Sequence, residues 1–343
     1  MRSNVDFLEG YFLVTEDNHI FEVKGDVHPA DRVVAYLRYV PSESGDRYSS
    51  TGMRYEKVYS LHERETYLTD KYPEYLWYDE RRGRVLQSVP VSRIAFVLNP
   101  VTRLGQMKDM GKHLSALEKT SLKLVQTFVD KAGLSWSNVG ITGSQLAGLS
   151  TEESDIDVVV YGSLSARRLF SLLRNRGEAL GIRRYSGKKL DSHVSFRWGE
   201  ENVRSEILTR IESKKVLQGE FDSYDFFVRN VKLPEEIAYS YEDISFINKG
   251  IRTVRAKVLD NQDCIFTPCI YRVECKEDPS LKVLVSYRGK FTEQAENGMV
   301  VEARGRVEKV YVSTTKEEFT QLVLGEDSDD YMVPVGLVAD SAQ

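Results

Sequence analysis

Two carboxylates stand two residues apart in the run Ser154-Asp-Ile-Asp-Val-Val-Val-Tyr161. If this run is a strand, Asp155 and Asp157 project from one face while Ile156 and Val158 project from the other. Carboxylates held side by side repel unless a cation lies between them. Paired hard oxygen ligands on a rigid strand suit Mg²⁺, with Mn²⁺ as a substitute, since Mg²⁺ takes one or two carboxylates and fills its remaining positions with water and substrate phosphates. Eleven residues before Asp155, Ser144 follows Gly143. A bare glycine lets a phosphate approach the backbone, and a serine hydroxyl with the amides of a short helix can hydrogen-bond its oxygens. A turn glycine alone would carry no such meaning; its combination with the acid pair reads as a place where phosphates and metal meet.

Several elements must position these groups. Leu114, Leu117, Leu124, Val125 and Phe128 fall on one stripe of an amphipathic helix expected from Gly111 to Ala132, with Gly133 placed to end it. Trp136 to Gly143 reads as an extended lead, Ser144 to Leu149 as a short helix, Ser154 to Tyr161 as a buried strand and Ser165 to Leu180 as a second amphipathic helix. Asp191 to Trp198 and Ser223 to Val231 read as further strands, with a polar helical piece from Glu201 to Lys215 between them.

Gly-Ser followed by Ser-Asp-Ile-Asp-Val-Val-Val resembles the signature of the DNA polymerase β-like nucleotidyltransferases. The likeness covers about 25 residues, and with its flanks the chain is similar to a group of archaeal proteins described as predicted nucleotidyltransferases. The resemblance implies transfer of a nucleoside monophosphate from a nucleoside triphosphate, ATP among the candidates, to an acceptor hydroxyl with release of pyrophosphate, assisted by two metal ions. It also implies a third carboxylate from a neighbouring strand that binds metal and accepts the nucleophile's proton. Asp225, heading the apolar run Asp-Phe-Phe-Val, is the choice for that role over Asp222 and Glu206. The expected site is therefore Asp155, Asp157 and Asp225 for metal and catalysis, with Gly143 and Ser144 for the nucleotide.

The rest of the chain frames this unit. Residues 1–100 read as β-rich, with nine tyrosines between Tyr36 and Tyr78 interleaved with Arg38, Arg47, Arg54, Lys57, Arg64 and Lys71, a mixture able to stack bases and hold phosphates. Glu43, Glu56, Glu63, Glu65, Glu74 and Asp79 dilute that patch, and half-buried strand tyrosines are the plainer reading. Residues 246–343 return to strands, with Asn297-Gly298 a turn signal, and suit a small OB-like barrel. The expected fold class is α+β, a central polymerase β-like α/β domain over 101–245 between two β-rich domains.

Arg167, Arg168, Arg174, Arg176, Arg183, Arg184, Lys188 and Lys189 form a basic run suited to triphosphate, to RNA, or simply to solvent. The whole chain nevertheless carries a net charge of −5, so an RNA acceptor would need local patches, and a protein or small molecule remains the alternative acceptor. A non-catalytic nucleotide- or nucleic-acid-binding protein that keeps the transferase fold is the other reading. Cys264, Cys269 and Cys275 lack C-x-x-C spacing and a fourth ligand, which argues against a zinc knuckle, and their odd number without a regular framework argues against an oxidising compartment. The opening segment MRSNVDFLEGYFLV has two acids before any apolar run, unlike a secretory signal, and no apolar stretch approaches bilayer length. The expectation is a cytoplasmic protein without a membrane partner. Glu326, Asp327, Asp329 and Asp330 read as a solvated acidic segment.

Overall fold

The structure is a computed structural model describing residues 7–199 and 205–336. It is α+β, with the described residues in two compact units: one from Met1–Glu80, Arg84–Asn175 and Phe221–Tyr241, the other from Arg81–Gly83, Arg176–Glu220 and Glu242–Gln343. Among the described residues no helix is long and apolar enough to cross a membrane.

In the first unit, β1 (Phe12–Thr15), β2 (Ile20–Val23), β3 (Arg32–Pro41), β4 (Arg47–Tyr48) and β5 (Arg54–Lys57) precede α1 (Leu61–Lys71). Strands β6 (Leu76–Asp79), β7 (Arg84–Pro90) and β8 (Ile94–Leu98) complete an eight-stranded sheet with the main order β4-β5-β3-β2-β1-β8, β7 pairing with β3 and β6. Strand β3 alternates buried and half-buried residues as far as Tyr39, the period-two pattern of a sheet with one face in a core. Helices α2 (Pro100–Met110) and α3 (Ala116–Ala132) follow. The single helix expected from Gly111 thus begins five residues later, because Ser115 and Glu118 form a capping box there, while Gly133 at φ 64° ends it as anticipated. Helix α2 went unread although Asn99 caps it and Pro100 opens it.

The Gly-Ser turn and the acid pair span β9 (Val139–Ile141), α4 (Gly143–Ala147) and β10 (Ile156–Tyr161), with α5 (Ser163–Arg176) next. The chain continues through β11 (Ile182–Arg183), α6 (Gly187–Trp198), α7 (Ser205–Glu212) and β12 (Gln218–Phe221) before β13 (Tyr224–Val231) returns to the first unit. There β10 lies between antiparallel β9 and parallel β13. Ile156, Val158 and Val160 are buried on one face of β10, and α3 packs against this strand with Leu124, Val125 and Phe128 fully buried. Each such side chain contributes about 1.5–3 kcal/mol through burial. Val159 and Tyr161, on the opposite face, join Leu13, Phe21 and Leu37 of the N-terminal sheet in a shared core.

The strand expected at Asp191–Trp198 is instead part of α6. Leu190, Val194 and Trp198 are buried at four-residue spacing, whereas Phe196, which a period-two reading pairs with Trp198, is 83% exposed. Of the polar helix expected over Glu201–Lys215, residues 205–212 are helical and 201–204 lie outside the described residues.

In the second unit, β14 (Ile244–Asp260), β15 (Cys269–Glu274), β16 (Leu281–Ser286), β17 (Val300–Val312), β18 (Glu317–Leu324) and β19 (Tyr331–Pro334) form one sheet in the order β14-β15-β16-β18-β17-β19. Pairing of β14 with β17 closes five of these strands into a ring, in which β16 and β18 run parallel. The acidic segment before β19 is not simply solvated. Asp330 is buried and its carboxylate accepts the backbone N–H groups of Gly325, Glu326 and Asp327, while Arg304 pairs with Asp327, Asp329 and Asp330.

Candidate active site

Gly143 sits at φ 64°, a left-handed conformation that costs an L residue about 1–2 kcal/mol. It also abuts Asp157. A Cβ at position 143 would lie 2.7 Å from Asp157 Cγ and closer still to Oδ2. The glycine is therefore required twice, by backbone conformation and by the carboxylate in the space a side chain would fill. The Thr142 N–H donates to Asp157 O at 2.9 Å, locking the start of α4 to β10. Ser144 is buried, and its Oγ has no hydrogen-bond partner among the described residues. A buried hydroxyl left in this way carries a desolvation cost that a ligand oxygen would remove.

The helix is anchored from several sides. Thr142 Oγ1 donates to Gly10 O at 2.6 Å, Arg103 Nε to Gln145 O at 3.0 Å and Arg47 Nη1 to Leu149 O at 2.8 Å. Leu146 and Leu149 pack with Phe12, Ile20, Tyr39 and Tyr55 of the N-terminal sheet. Helix α4 has only five residues, too few for a strong helix dipole, so the donors it presents at its start are the first amides and the Ser144 hydroxyl.

Asp157 is half-buried and Asp155 exposed. Burial and then the neighbouring Asp155 push the Asp157 carboxyl up to about 7, with Glu22 acting in the same direction and Arg229 and Arg38 opposing. The pair thus repels as its spacing implies. Asp225 precedes Phe226 on β13 as Asp155 precedes Ile156, and Ile156 and Phe226 are register partners. Alternation puts Asp155, Asp157 and Asp225 on one face of the sheet. They do not close into a cluster, since no three His, Cys, Asp or Glu side chains among the described residues are gathered to hold a metal ion. Of the three expected acids, the two that interact are Asp155 and Asp157. Asp222 is paired with Lys123, and Glu206 is exposed on α7 of the other unit.

Sequence reasoning missed the charged layer beneath the acids. Arg229, two residues beyond Phe227 on β13, reaches Glu9 and Glu22; Lys24 Nζ lies 2.9 Å from each of the same carboxylates, and Arg38 Nε lies 3.1 Å from Glu22 Oε2. Burial opposes ionisation of Glu22, yet Arg229, Lys24 and Arg38 hold its carboxyl well below the usual range. A charge at 229 in the alternating series Asp225, Phe227, Arg229 was the available signal. Lys57 was noted only as one cation among many. It is the register partner of Tyr39, and its ammonium is lowered by burial and by Arg38 while Asp155 and Asp157 act to raise it.

Other expected features are distributed differently. Tyr39, Tyr55 and Tyr75 are buried, Tyr67 and Tyr72 pack with His19, and Tyr48, Tyr59 and Tyr78 are exposed. The basic run divides between the units, Arg167, Arg168 and Arg174 lying in the first and the other five residues in the second. All three cysteines are buried and free, and burial pushes the Cys264 and Cys269 thiols up to about 12.

The chain is 26% identical over 321 residues to an uncharacterized protein of Methanocaldococcus jannaschii (MJ1086), an alignment covering 92% of this chain and 94% of that protein. No family model matches the chain, and no solved structure does.

Proposed function

We propose that the protein is a metal-dependent nucleotidyltransferase, with Gly143, Ser144, Asp155 and Asp157 as its nucleotide and metal site. The observation that carries this reading is the packing of Asp157 into the space a side chain at position 143 would occupy. It joins the phosphate turn and the acid pair into one site. The donor set fits Mg²⁺ or Mn²⁺: two adjacent carboxylates, one of them pushed towards neutrality by burial and by the other. Asp155 and Asp157 would hold the ion, which when bound would neutralise phosphate charge and polarise the phosphorus centre.

The chain's own groups do the rest. The Gly143 and Ser144 amides and the Ser144 hydroxyl bind phosphate oxygens. The acceptor's hydroxyl oxygen forms a bond to the α-phosphorus as the bond from that phosphorus to the α–β bridging oxygen breaks. Pyrophosphate departs with that electron pair, and the hydroxyl proton passes to Asp225 or to water. The ring of strands in the second unit has the order expected of an OB-like barrel, which supports a central transferase core flanked by β-rich parts.

A second reading, nucleotide binding without transfer, draws on Asp225 standing outside any three-carboxylate cluster. Calorimetric titration with nucleoside triphosphates in Mg²⁺ tests the site itself. Binding by the wild type that is lost in the Asp155→Ala, Asp157→Ala double variant is expected; equal binding by both would remove the site assignment.

A further inference from the structure

The face of the N-terminal sheet that packs on α4 also bears charge. Phe12, Ile20, Tyr39 and Tyr55 hold Leu146 and Leu149 there. Lys57 follows Tyr55 by two residues on β5 and is the register partner of Tyr39, so strand alternation puts it on the same face. Glu22 stands directly across from Phe12 and two residues beyond Ile20, and it too projects from this face, where its carboxylate meets Arg229 of β13 and Arg38 of β3. Arg38 is the extra residue of a bulge, since Ile20 pairs with Tyr39 and the next residue, Phe21, with Leu37. The face is thus tied at one point to α4, which begins at Gly143 beside Asp157, and at another to β13, whose Phe227 is the register partner of Asp157. Asp157 lies between those two points.

Cations on this face exceed the structural carboxylates. Lys24, Arg38 and Arg229 share Glu9 and Glu22. Arg38 keeps 28% of its side chain exposed and has Glu22 as its single ion-pair partner among the described residues. Lys57 has none among them, its ammonium resting 4.8 Å from the centre of the Tyr59 ring. Tyr39, next to Arg38 in sequence and across from Lys57, is 1% exposed, and its hydroxyl has no hydrogen-bond partner among the described residues. The influence of Arg38 on Asp157, and of Asp155 and Asp157 on Lys57, agrees with this placement. Spare cations opposite an acid pair suit a polyanion that a metal on those acids would also bind.

We propose that the N-terminal sheet supplies the second half of the nucleotide site, in which Arg38 and Lys57 bind the β- and γ-phosphates and the Tyr39 hydroxyl donates to them. This rests on the nucleotidyl-transfer reading. As the bond from the α-phosphorus to the bridging oxygen breaks, its electron pair stays on that oxygen, and the two cations offset the charge that gathers on the departing pyrophosphate.

The test titrates full-length protein in Mg²⁺ with ATP and with AMP, which lacks those phosphates. Wild-type protein is expected to prefer ATP. Lys57→Gln removes an ammonium on which no carboxylate depends, and Arg38→Gln removes the guanidinium; each should weaken ATP binding at least about tenfold while AMP affinity stays within about twofold. Lys57→Arg, which keeps the charge, should restore most of the ATP affinity. An undiminished preference for ATP in either neutral variant overturns the assignment of that residue, and equal loss of ATP and AMP does the same, because it marks a residue that only holds the fold. Equal binding of ATP and AMP by wild-type protein overturns the subsite as a whole. Failure of wild-type protein to bind either nucleotide would instead strike the transferase reading on which it rests.

Discussion

Gly143 and Asp157 compete for one volume: the carboxylate of Asp157 lies where a Cβ on residue 143 would be, with Asp157 Cγ only 2.7 Å from that point. Thr142 N–H donation to Asp157 O fixes the two segments at this separation, so neither can easily yield. Gly143→Ala should therefore displace the Asp157 carboxylate as well as strain the turn. We expect a stability loss of about 2 kcal/mol or more in urea unfolding, from the left-handed backbone and overpacking combined. Nucleotide affinity should fall with it. A well-folded Gly143→Ala protein with wild-type affinity would contradict this relationship.

The acid pair makes stability depend on pH. With its folded value raised from 3.8 to about 7, Asp157 keeps a proton in the native state that the unfolded chain releases. Its contribution to stability is thus present below the unfolded value and is lost as pH rises through the window from about 4 to about 7. Without divalent cations, wild-type stability should fall across that window by at most about 1.4 kcal/mol per pH unit from this group. Asp157→Asn should remove that component, and unfolding curves at pH 5 and pH 8 compare the two proteins.

Arg229 is the keystone of the charged layer. Its removal leaves Glu9 and Glu22, both buried, with Lys24 and Arg38 as remaining cations. Arg229→Met should cost about 3–5 kcal/mol, as expected when one member of a buried ionic group is lost. Adding Glu9→Gln and Glu22→Gln should recover part of it. Thermal unfolding of the three proteins gives the answer; a silent Arg229→Met would mean that the layer is structurally dispensable.

A variant at Asp225 would distinguish the transfer reading from binding alone. If it takes the hydroxyl proton, Asp225→Asn should slow label transfer about 10²-fold or more while leaving nucleotide affinity nearly unchanged. Equal loss of affinity would make it a metal ligand instead. An unchanged rate would remove it from the site.

The acid pair and its glycine were legible because both depend on short-range rules, strand alternation for Asp155 and Asp157 and the turn chemistry of Gly143-Ser144. The layer below them was not, because Arg229 meets Glu9 across 220 residues of chain, a contact set by the register of sheets. Lys57 was hidden for the same reason, its place beside the acids following from cross-strand pairing with Tyr39. The segment ending at Trp198 failed differently. Its apolar residues fit a two-residue and a four-residue period alike, and only the burial of Leu190 and Val194 with exposure of Phe196 decides for the helix.

The most direct test of nucleotidyl transfer compares ATP labelled at the α-phosphate with ATP labelled at the γ-phosphate, each incubated with protein, Mg²⁺ and cellular acceptor pools. The account predicts that α-label becomes acceptor-bound, that γ-label leaves in pyrophosphate, and that both events vanish in the Asp155→Ala, Asp157→Ala variant. Acceptor-bound γ-label, or transfer of α-label that survives in that variant, would contradict it.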